Sequence, residues 1–286
     1  MTGTIIKGIG GFYYVKAEDS VIYECKARGV FRNRNVKPVI GDKVDISVEN
    51  GKGNIIEIWE RRTFLIRPPV SNIDNIMIVA AAKNPDPDTG LMDKMLVTAE
   101  YKGISPIICV NKTDLDDGSE IARIYKDTGY PIVFVSTYED RGTDELKKLL
   151  SGKITALAGL SGVGKSSILN ALTATDAETG DISEKIKRGR HTTRHVELFE
   201  IDGGGFIFDT PGFSSYELED IKAQDLCMYF PEMRDIKDNC RFKGCAHIKE
   251  PDCAVKEALF WGKISEERYE SYKNIYEILK KRKDWE

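Results

Sequence analysis

A glycine-rich segment between an apolar run and a helical run carries the clearest chemical signal in the sequence. Gly159 and Gly164 bracket four residues, and Lys165 and Ser166 follow, which matches the phosphate-loop pattern G-x-x-x-x-G-K-[ST]. Such glycines let backbone N–H groups converge on phosphates, while the lysine acts on the outer phosphates during catalysis and the serine ligates Mg²⁺. The predicted nucleotide-binding residues here are Gly159, Leu160, Ser161, Gly162, Val163, Gly164, Lys165, Ser166 and Ser167.

A second apolar run ends in a carboxylate further along the chain. The segment 206–213 reads FIFDTPGF, so Asp209 stands where a predicted strand ends. A carboxylate there can hold Mg²⁺ through water, and the N–H of Gly212 can contact the γ-phosphate. Taken alone, the segment also fits a plain Asp-Thr-Pro-Gly turn. Its place after the phosphate loop favours the metal side of a nucleotide site.

A third segment, NKTDL at Asn111–Leu115, has the chemistry of a guanine reader. Asp114 would accept from guanine N1–H and N2–H₂, and Lys112 would lie along the base. Asn111 would contact the N7 side or tie loops together, and Thr113 completes the segment. The next apolar run ends at Ser136, near which a backbone N–H could donate to guanine O6. Two successive strand ends with matching chemistry predict a site for GTP or GDP.

These segments occur in an unusual order, because the base readers precede the phosphate loop. Apolar runs alternate with helical stretches from about residue 68 onward, which predicts a parallel sheet wrapped by helices. Each βα unit contributes its loop to the same sheet edge wherever the chain is cut, so a rotated order can still form one site. Before this region, short alternating runs in residues 1–67 predict a small antiparallel barrel or sandwich.

The segment RGRHTTRH, at Arg188–His195, stands between the phosphate loop and Asp209. A loop at this position should present a threonine to Mg²⁺ and the γ-phosphate, and either Thr192 or Thr193 would serve. Phe213 follows Gly212, where a water-orienting glutamine is common, so another group must position the water. His191 is a candidate, although an RNA or phosphate contact is an equal alternative for it.

Four potential metal ligands lie within fourteen residues near the C-terminus: Cys240, Cys245, His247 and Cys253. Three thiolates and one imidazole close a tetrahedral structural Zn²⁺ site without an open position. Reduced thiols packed in a helical hairpin are the alternative. Because the surrounding sequence is polar, we expect the metal to be what orders it. The scattered Cys25, Cys109 and Cys227 are predicted to be ordinary core residues.

Bulk properties narrow the class of protein. The chain has 286 residues and a formal net charge of −4, so any attraction to nucleic acid must come from local patches. No apolar run is long enough to cross a bilayer, and the N-terminus lacks the pattern of a secretory signal. We expect a cytoplasmic protein that does not contact membranes.

One such basic patch is KARGVFRNRNVK at residues 26–37, where basic residues surround an aromatic ring. Phosphate contacts and base stacking by Phe31 would together bind RNA. A solvated hairpin is the alternative. The basic residues concerned are Lys26, Arg28, Arg32, Arg34 and Lys37.

The chain as a whole resembles the circularly permuted GTPases that act in late maturation of the bacterial small ribosomal subunit. The likeness rests on the permuted order, the N-terminal barrel, GLSGVGKSS, RGRHTTRHVEL, DTPGF and the Cys/His cluster. It implies an OB-type β-barrel at residues 1–67, a circularly permuted α/β P-loop GTPase domain at 68–215, and a C-terminal helical zinc-binding domain at 216–286.

The same resemblance implies a set of ligands and partners. These are GTP/GDP, Mg²⁺, one structural Zn²⁺, the small (30S) ribosomal subunit and its 16S rRNA, with hydrolysis stimulated by the subunit. We expect a monomer. A GTP-gated RNA-binding assembly factor with little turnover is the alternative function. An RNA-processing enzyme with a nucleotide sensor is disfavoured, because no second catalytic group of carboxylates or histidines is evident.

Overall fold

The computed structural model describes residues 1–27, 31, 36–49, 51–66, 68–173, 196–210, 218 and 221–282. The chain divides into two compact units, one of residues 1–76, 143–157 and 166–211, the other of residues 77–142, 158–165 and 212–286. These units are defined by packing alone. The three-domain division at 67/68 and 215/216 stays a prediction.

The N-terminal strands form a closed barrel in the order β1-β2-β3-β5-β4. Of the two predicted alternatives the chain forms the barrel, but it is not purely antiparallel, because β3 and β5 pair in parallel. Closure leaves these strands without a free edge. Alternate side chains such as Ile5, Val15 and Ile46 fill its interior. The strands are β1 (Thr2–Ile9), β2 (Phe12–Ala17), β3 (Ile22–Ala27), β4 (Lys43–Glu49) and β5 (Lys52–Ile58), and a hairpin of β6 (Phe64–Ile66) and β7 (Pro69–Ser71) follows.

Phe31 belongs to this barrel core, which corrects the predicted RNA patch. Its side chain is only 6 % exposed and packs in the cluster that contains Ile5 and Ile55. A buried ring cannot stack on a nucleobase, so the prediction that Phe31 does so is wrong. Arg28, Arg32 and Arg34 lie outside the described residues.

A six-stranded sheet carries the predicted site segments, in the order β10-β9-β8-β11-β13-β12. Pairs β10/β9 and β11/β13 are parallel, and β12 runs antiparallel to β13. Every residue of β8 and β11 is buried, as expected for central strands covered on both faces. The strands are β8 (Asn75–Ala81), β9 (Ser105–Asn111), β10 (Ile132–Phe134), β11 (Ile154–Ala158), β12 (Phe199–Glu200) and β13 (Phe206–Asp209).

Among the described residues, four helices alternate with these strands, as the sequence predicts for an α/β fold. The first begins after Asp88, whose carboxylate accepts from the Leu91 N–H at 2.9 Å, and it ends at Gly103 in the left-handed conformation. They are α1 (Thr89–Lys102), α2 (Ser119–Tyr125), α3 (Thr143–Leu150) and α4 (Lys165–Leu172). In the part of the chain that the structure describes, no helix has the length and apolar composition of a membrane span.

The C-terminal region consists of short helices and one long one around an apolar cluster. This cluster includes Leu226, Phe230, Val255 and Tyr272, and Val97 of α1 belongs to it. The helices are two 3-10 segments (Ala223–Tyr229 and Lys237–Asn239), α5 (Pro231–Arg234), α6 (Ala254–Phe260) and α7 (Glu266–Arg282).

A buried arginine joins α7 to α1 and α5. Arg268 is 1 % exposed; its Nη1 lies 2.6 Å from Asp93 Oδ1, and its Nε and Nη2 donate to the Glu232 carboxylate at 2.7 and 3.0 Å. The guanidinium also lies over the Phe230 ring, 4.4 Å from its centre. Burial alone would lower the pKa of Arg268, but Asp93 and Glu232 hold it above its usual range, so the charge is kept.

We expect Arg268→Ala to lower the free energy of unfolding by about 3–5 kcal/mol, because it leaves two buried carboxylates without their cation. Arg123→Ala is the matched control. Arg123 of α2 pairs at the protein surface with Glu267, the neighbour of Arg268 in α7. An exposed pair of this kind contributes about 0–1 kcal/mol. Urea unfolding of both variants measures the difference, and equal midpoints would contradict the structural role given to Arg268.

Candidate functional site

The phosphate loop follows β11 and leads directly into α4. Gly159 has φ +137°, and a Cβ at this position would lie 2.2 Å from the Val79 carbonyl oxygen. Gly164 has φ +98°, and its Cβ would lie 2.2 Å from Asn111 Nδ2. Both positions therefore require glycine on steric and conformational grounds. The backbone between them is free to turn its N–H groups toward an anion at the start of α4.

Lys165 bends back over this loop. Its Nζ donates to the carbonyl oxygens of Gly159 at 2.9 Å and Leu160 at 2.7 Å. The ammonium group is thus held beside the loop. Ser166 and Ser167 follow in the first turn of α4.

The segment 111–115, predicted to contact the base, is called the base segment below. Asn111, the last residue of β9, connects this base segment to the phosphate loop. Its side chain is 1 % exposed. Nδ2 donates to the Val163 carbonyl at 3.0 Å, and Oδ1 accepts from the Thr137 N–H at 3.4 Å. Of the two roles that the sequence left open, this geometry corresponds to tying loops together.

Asp114 is oriented by Ser136. The Ser136 hydroxyl donates to Asp114 Oδ1 at 2.7 Å and accepts from the Glu139 N–H at 3.1 Å. The Ser136 N–H donates instead to the Arg141 carbonyl at 3.0 Å, so a contact to guanine O6 would fall to a neighbouring amide. The sequence did not predict that the Ser136 hydroxyl orients Asp114, because a serine at a strand end indicates only a polar position.

Lys112 and Thr113 keep the base segment in place. Lys112 adopts φ +62°, and its Nζ donates to the Asn84 carbonyl. The Thr113 N–H donates to the Val135 carbonyl at 3.2 Å. Residues Asn111 to Asp114 are therefore fixed by contacts on both sides.

The structure describes some of the residues predicted to bind Mg²⁺ and the γ-phosphate. Asp209 is the last residue of β13, opposite Leu157 of β11. The next residue, Thr210, donates through its N–H to the Leu157 carbonyl at 3.3 Å, which fixes the strand end. Thr193, His191 and Gly212 lie outside the described residues.

The four predicted zinc ligands converge in the C-terminal region. All their ligand atoms lie within 4.8 Å of one another. Cys240 Sγ is 3.8 Å from Cys253 Sγ and 3.5 Å from His247 Nδ1, and the latter two atoms are 3.4 Å apart. Bonds of about 2.3 Å to sulfur and about 2.0 Å to nitrogen separate tetrahedral ligands by roughly these distances. The donor set fits a structural Zn²⁺ ion.

The surroundings of the cluster also suit a metal. Burial lowers the pKa of His247, which favours the neutral, ligating imidazole, and burial raises the pKa of the Cys245 thiol to about 12. Metal binding would therefore displace thiol protons. The chain is held here by Tyr269 Oη, which donates to the His247 carbonyl at 2.7 Å. Glu250 accepts from three backbone N–H groups, those of Ala246, Ile248 and Lys249.

The apolar cluster changes one expectation about this region. From the polar sequence we expected the metal alone to order this region, but Cys253, Tyr269 and Tyr272 also pack in the buried apolar cluster around Phe230. Apolar burial thus stabilises most of the region, and the metal would fix mainly residues 240–253. Cys25, Cys109 and Cys227 are buried, as predicted for core residues.

We expect about one zinc per chain in protein purified without chelator, and none in Cys245→Ser, because the site would then lack one of its four ligands. Cys227→Ala is the matched control, since Cys227 is a buried thiol in the neighbouring apolar cluster and is not one of the four predicted zinc ligands. Metal analysis by mass spectrometry gives the stoichiometry. Native protein without zinc, or Cys245→Ser with a full equivalent, would contradict the assignment.

Comparison with known proteins places these features in one family. The family model described as RsgA GTPase matches residues 58–219, and the RsgA N-terminal domain matches residues 2–56. A small ribosomal subunit biogenesis GTPase RsgA of Agathobacter rectalis is 48 % identical, with all of both chains covered. The one of Clostridium perfringens strain SM101 is 47 % identical over 99 % of both chains.

Solved structures show the same likeness. YjeQ from Thermotoga maritima has a TM-score of 0.84 and 37 % identity, covering 97 % of this chain and 98 % of its own. YloQ, described as a circularly permuted GTPase, has a TM-score of 0.83 and 38 % identity, covering 98 % and 95 %. The chain belongs to the RsgA GTPases, circularly permuted phosphate-loop enzymes that hydrolyse GTP.

Proposed function

We propose that this GTPase acts in late maturation of the 30S ribosomal subunit in the cytoplasm, and that the subunit stimulates its hydrolysis of GTP. The relatives are named small ribosomal subunit biogenesis GTPases, which supports the process and the partner. The observation that carries the enzymatic part is the Asn111 side chain, which ties the base segment to the phosphate loop at Val163. We further propose that the protein acts as a monomer.

The proposed guanine contacts follow from the base segment. Asp114 accepts from N1–H and N2–H₂, and its orientation is supported by the hydrogen bond from Ser136. Lys112 lies along the base, while Asn111 and Thr113 hold the segment rigid. A site built from fixed polar groups rejects bases that leave those groups unpaired.

The proposed phosphate contacts use the glycine loop and α4. Backbone N–H groups of residues 159–167 bind the phosphates, and Lys165 exchanges its two loop carbonyls for the outer phosphates. Ser166 and Asp209 would hold Mg²⁺, together with Thr193, and Gly212 would contact the γ-phosphate. The ion supplies charge neutralisation on the phosphate oxygens.

The proposed contact with 16S rRNA rests on pairs of a cation and an exposed aromatic ring. Lys43 lies 5.5 Å from the Trp59 ring centre, and Arg61 lies 5.1 Å from that of Phe64; both rings are partly exposed. Near the zinc ligands, Arg241 lies 5.5 Å from the exposed Phe242 ring. Rings beside a cation can stack on bases. Arg61 and Arg241 also pair with Asp42 and Asp252, which reduces their attraction for phosphate. On the barrel side, Trp59 and Phe64 replace Phe31 as the aromatic part of the proposed RNA contact.

We expect Asp114→Asn to weaken GTP binding by about 100-fold or more and to improve binding of xanthosine triphosphate, whose 2-oxo group accepts where guanine donates. Asp116→Asn is the matched control, because this neighbouring carboxylate accepts from the Gly118 N–H at 3.0 Å and serves its own turn. Equilibrium titration with fluorescent nucleotides compares the variants. Native protein that binds ATP as tightly as GTP would refute the guanine site.

We expect slow turnover by the isolated protein and an acceleration of about 10- to 10³-fold by small subunits, well within what partners supply to other GTPases. The reason is that Phe213 cannot orient water, so the partner must help to position a group such as His191. Phosphate release is measured alone, with small subunits and with large subunits as the control partner. Lys165→Ala should abolish hydrolysis in all three conditions.

The outcomes separate the candidate mechanisms. Equal rates with and without small subunits would contradict stimulation and favour a GTP-gated binding factor with little turnover. Stimulation that survives in His191→Ala would keep the partner mechanism and exclude His191 from it.

A further inference from the structure

Strand β1 of the barrel contains a bulge that directs one carbonyl out of the barrel. Ile5 pairs with Val15 and Lys7 pairs with Tyr14, so Ile6 is an extra residue without a partner in β2. The Ile6 carbonyl instead accepts from the Leu198 N–H at 2.9 Å. Lys7 and Glu197 form an isolated antiparallel bridge beside it. The bulge therefore lets a distant segment of the chain pair with the barrel.

Two ion pairs repeat this connection with the same polarity. Lys7 Nζ lies 2.9 Å from the Glu197 carboxylate, and Lys16 Nζ of β2 lies 2.9 Å from that of Glu200. In both pairs the cation belongs to the barrel and the anion to the segment that forms β12. Leu198 between them is buried, as is Ile6. Partly exposed ion pairs contribute little to stability by themselves, so their value here lies in fixing position and register.

The attached segment leads to the proposed metal ligand. In β12, Phe199 pairs with Ile207 and Glu200 with Phe206 of β13. Strand β13 ends three residues later, at Asp209, which is opposite Leu157. β12 therefore holds one edge of the strand that carries Asp209, and β11 holds the other.

We propose that Lys7 and Lys16 are positioning residues for Asp209: the barrel holds β12 through the Ile6 carbonyl and the two ion pairs, and β12 sets where β13 places the carboxylate. This inference rests on the proposed role of Asp209 in holding Mg²⁺. It gives the barrel a part in the nucleotide chemistry besides any contact with RNA. A ligand that displaces β1 or β2 would therefore also displace the strand that ends at Asp209.

The test is the Mg²⁺ concentration that half-maximally tightens binding of a non-hydrolysable fluorescent GTP analogue. We expect Lys7→Glu combined with Lys16→Glu to raise this concentration about three- to tenfold, as two attractive pairs become repulsive. Binding of fluorescent GDP without Mg²⁺ should stay unchanged, because the base and phosphate segments are not altered. The fourfold variant that adds Glu197→Lys and Glu200→Lys should restore the native Mg²⁺ dependence.

Lys147→Glu is the matched control. It breaks the ion pair of Lys147 in α3 with Asp202, 3.0 Å long, at the turn between β12 and β13, without touching the barrel. Its Mg²⁺ dependence should equal that of the native protein. If the double reversal does not fold, Lys7→Met with Lys16→Met removes the charges without repulsion and should shift the dependence in the same direction.

Native Mg²⁺ dependence in a folded double variant would overturn the inference, and so would a fourfold variant that is not restored. An equal shift in Lys147→Glu would overturn it as well, because the effect would then follow from any charge reversal near β12. Native protein whose analogue binding does not respond to Mg²⁺ would refute the proposed role of Asp209 itself.

Discussion

The nucleotide site depends on one buried amide. Asn111 donates to the phosphate loop at Val163 and accepts from Thr137, so a single side chain connects the segments that follow β9, β10 and β11. The phosphate loop must leave room for it, because a Cβ on Gly164 would lie 2.2 Å from its Nδ2. This interlock does not depend on which segment comes first in the chain. Parallel strands bring their carboxyl ends to one edge in any order, and the amide then fixes the distance between the loops.

Specificity requires that the polar groups be rigid before the base arrives. The Asp114 carboxylate accepts from the Ser136 hydroxyl, and Ser136 is itself held by a two-way backbone bridge to Arg141. Gly142, the residue after Arg141, adopts φ +79°, and a Cβ there would lie 2.1 Å from the Phe134 carbonyl oxygen, so this turn requires glycine. The proposed guanine reader is thus supported by backbone geometry at Gly142, six residues after Ser136. Preorganisation of this kind lowers the cost of ordering the site when the ligand binds.

The sequence predicts the chemistry of this protein better than its packing, for a physical reason. Phosphate binding and zinc binding need particular residue types at fixed spacings. Both could therefore be predicted without a structure, from Gly164–Ser166 and from the Cys/His cluster at 240–253. Whether a side chain is buried cannot be predicted from its neighbours in the sequence. Phe31 in a basic run looks like a stacking ring but fills the barrel, and Arg268 in a charged helix looks solvated but is buried on Asp93, 175 residues away. The bulge at Ile6 has no signal in the sequence at all, since it is defined by the partner strand.

The C-terminal region shows how two weak sources of order can share one small volume. Around the proposed zinc ligands the chain makes few regular elements. Glu250 accepts from the backbone N–H groups of Ala246, Ile248 and Lys249, none of which lies in a helix or strand. Beneath them, Tyr269 and Tyr272 donate to the carbonyls of His247 and Ala246 while their rings pack in the apolar cluster. Each tyrosine therefore joins the ligand loop to α7, the helix whose Arg268 is fixed on α1. Hydrogen bonds and the Arg268–Asp93 ion pair therefore connect the loop with the proposed zinc ligands through α7 to α1.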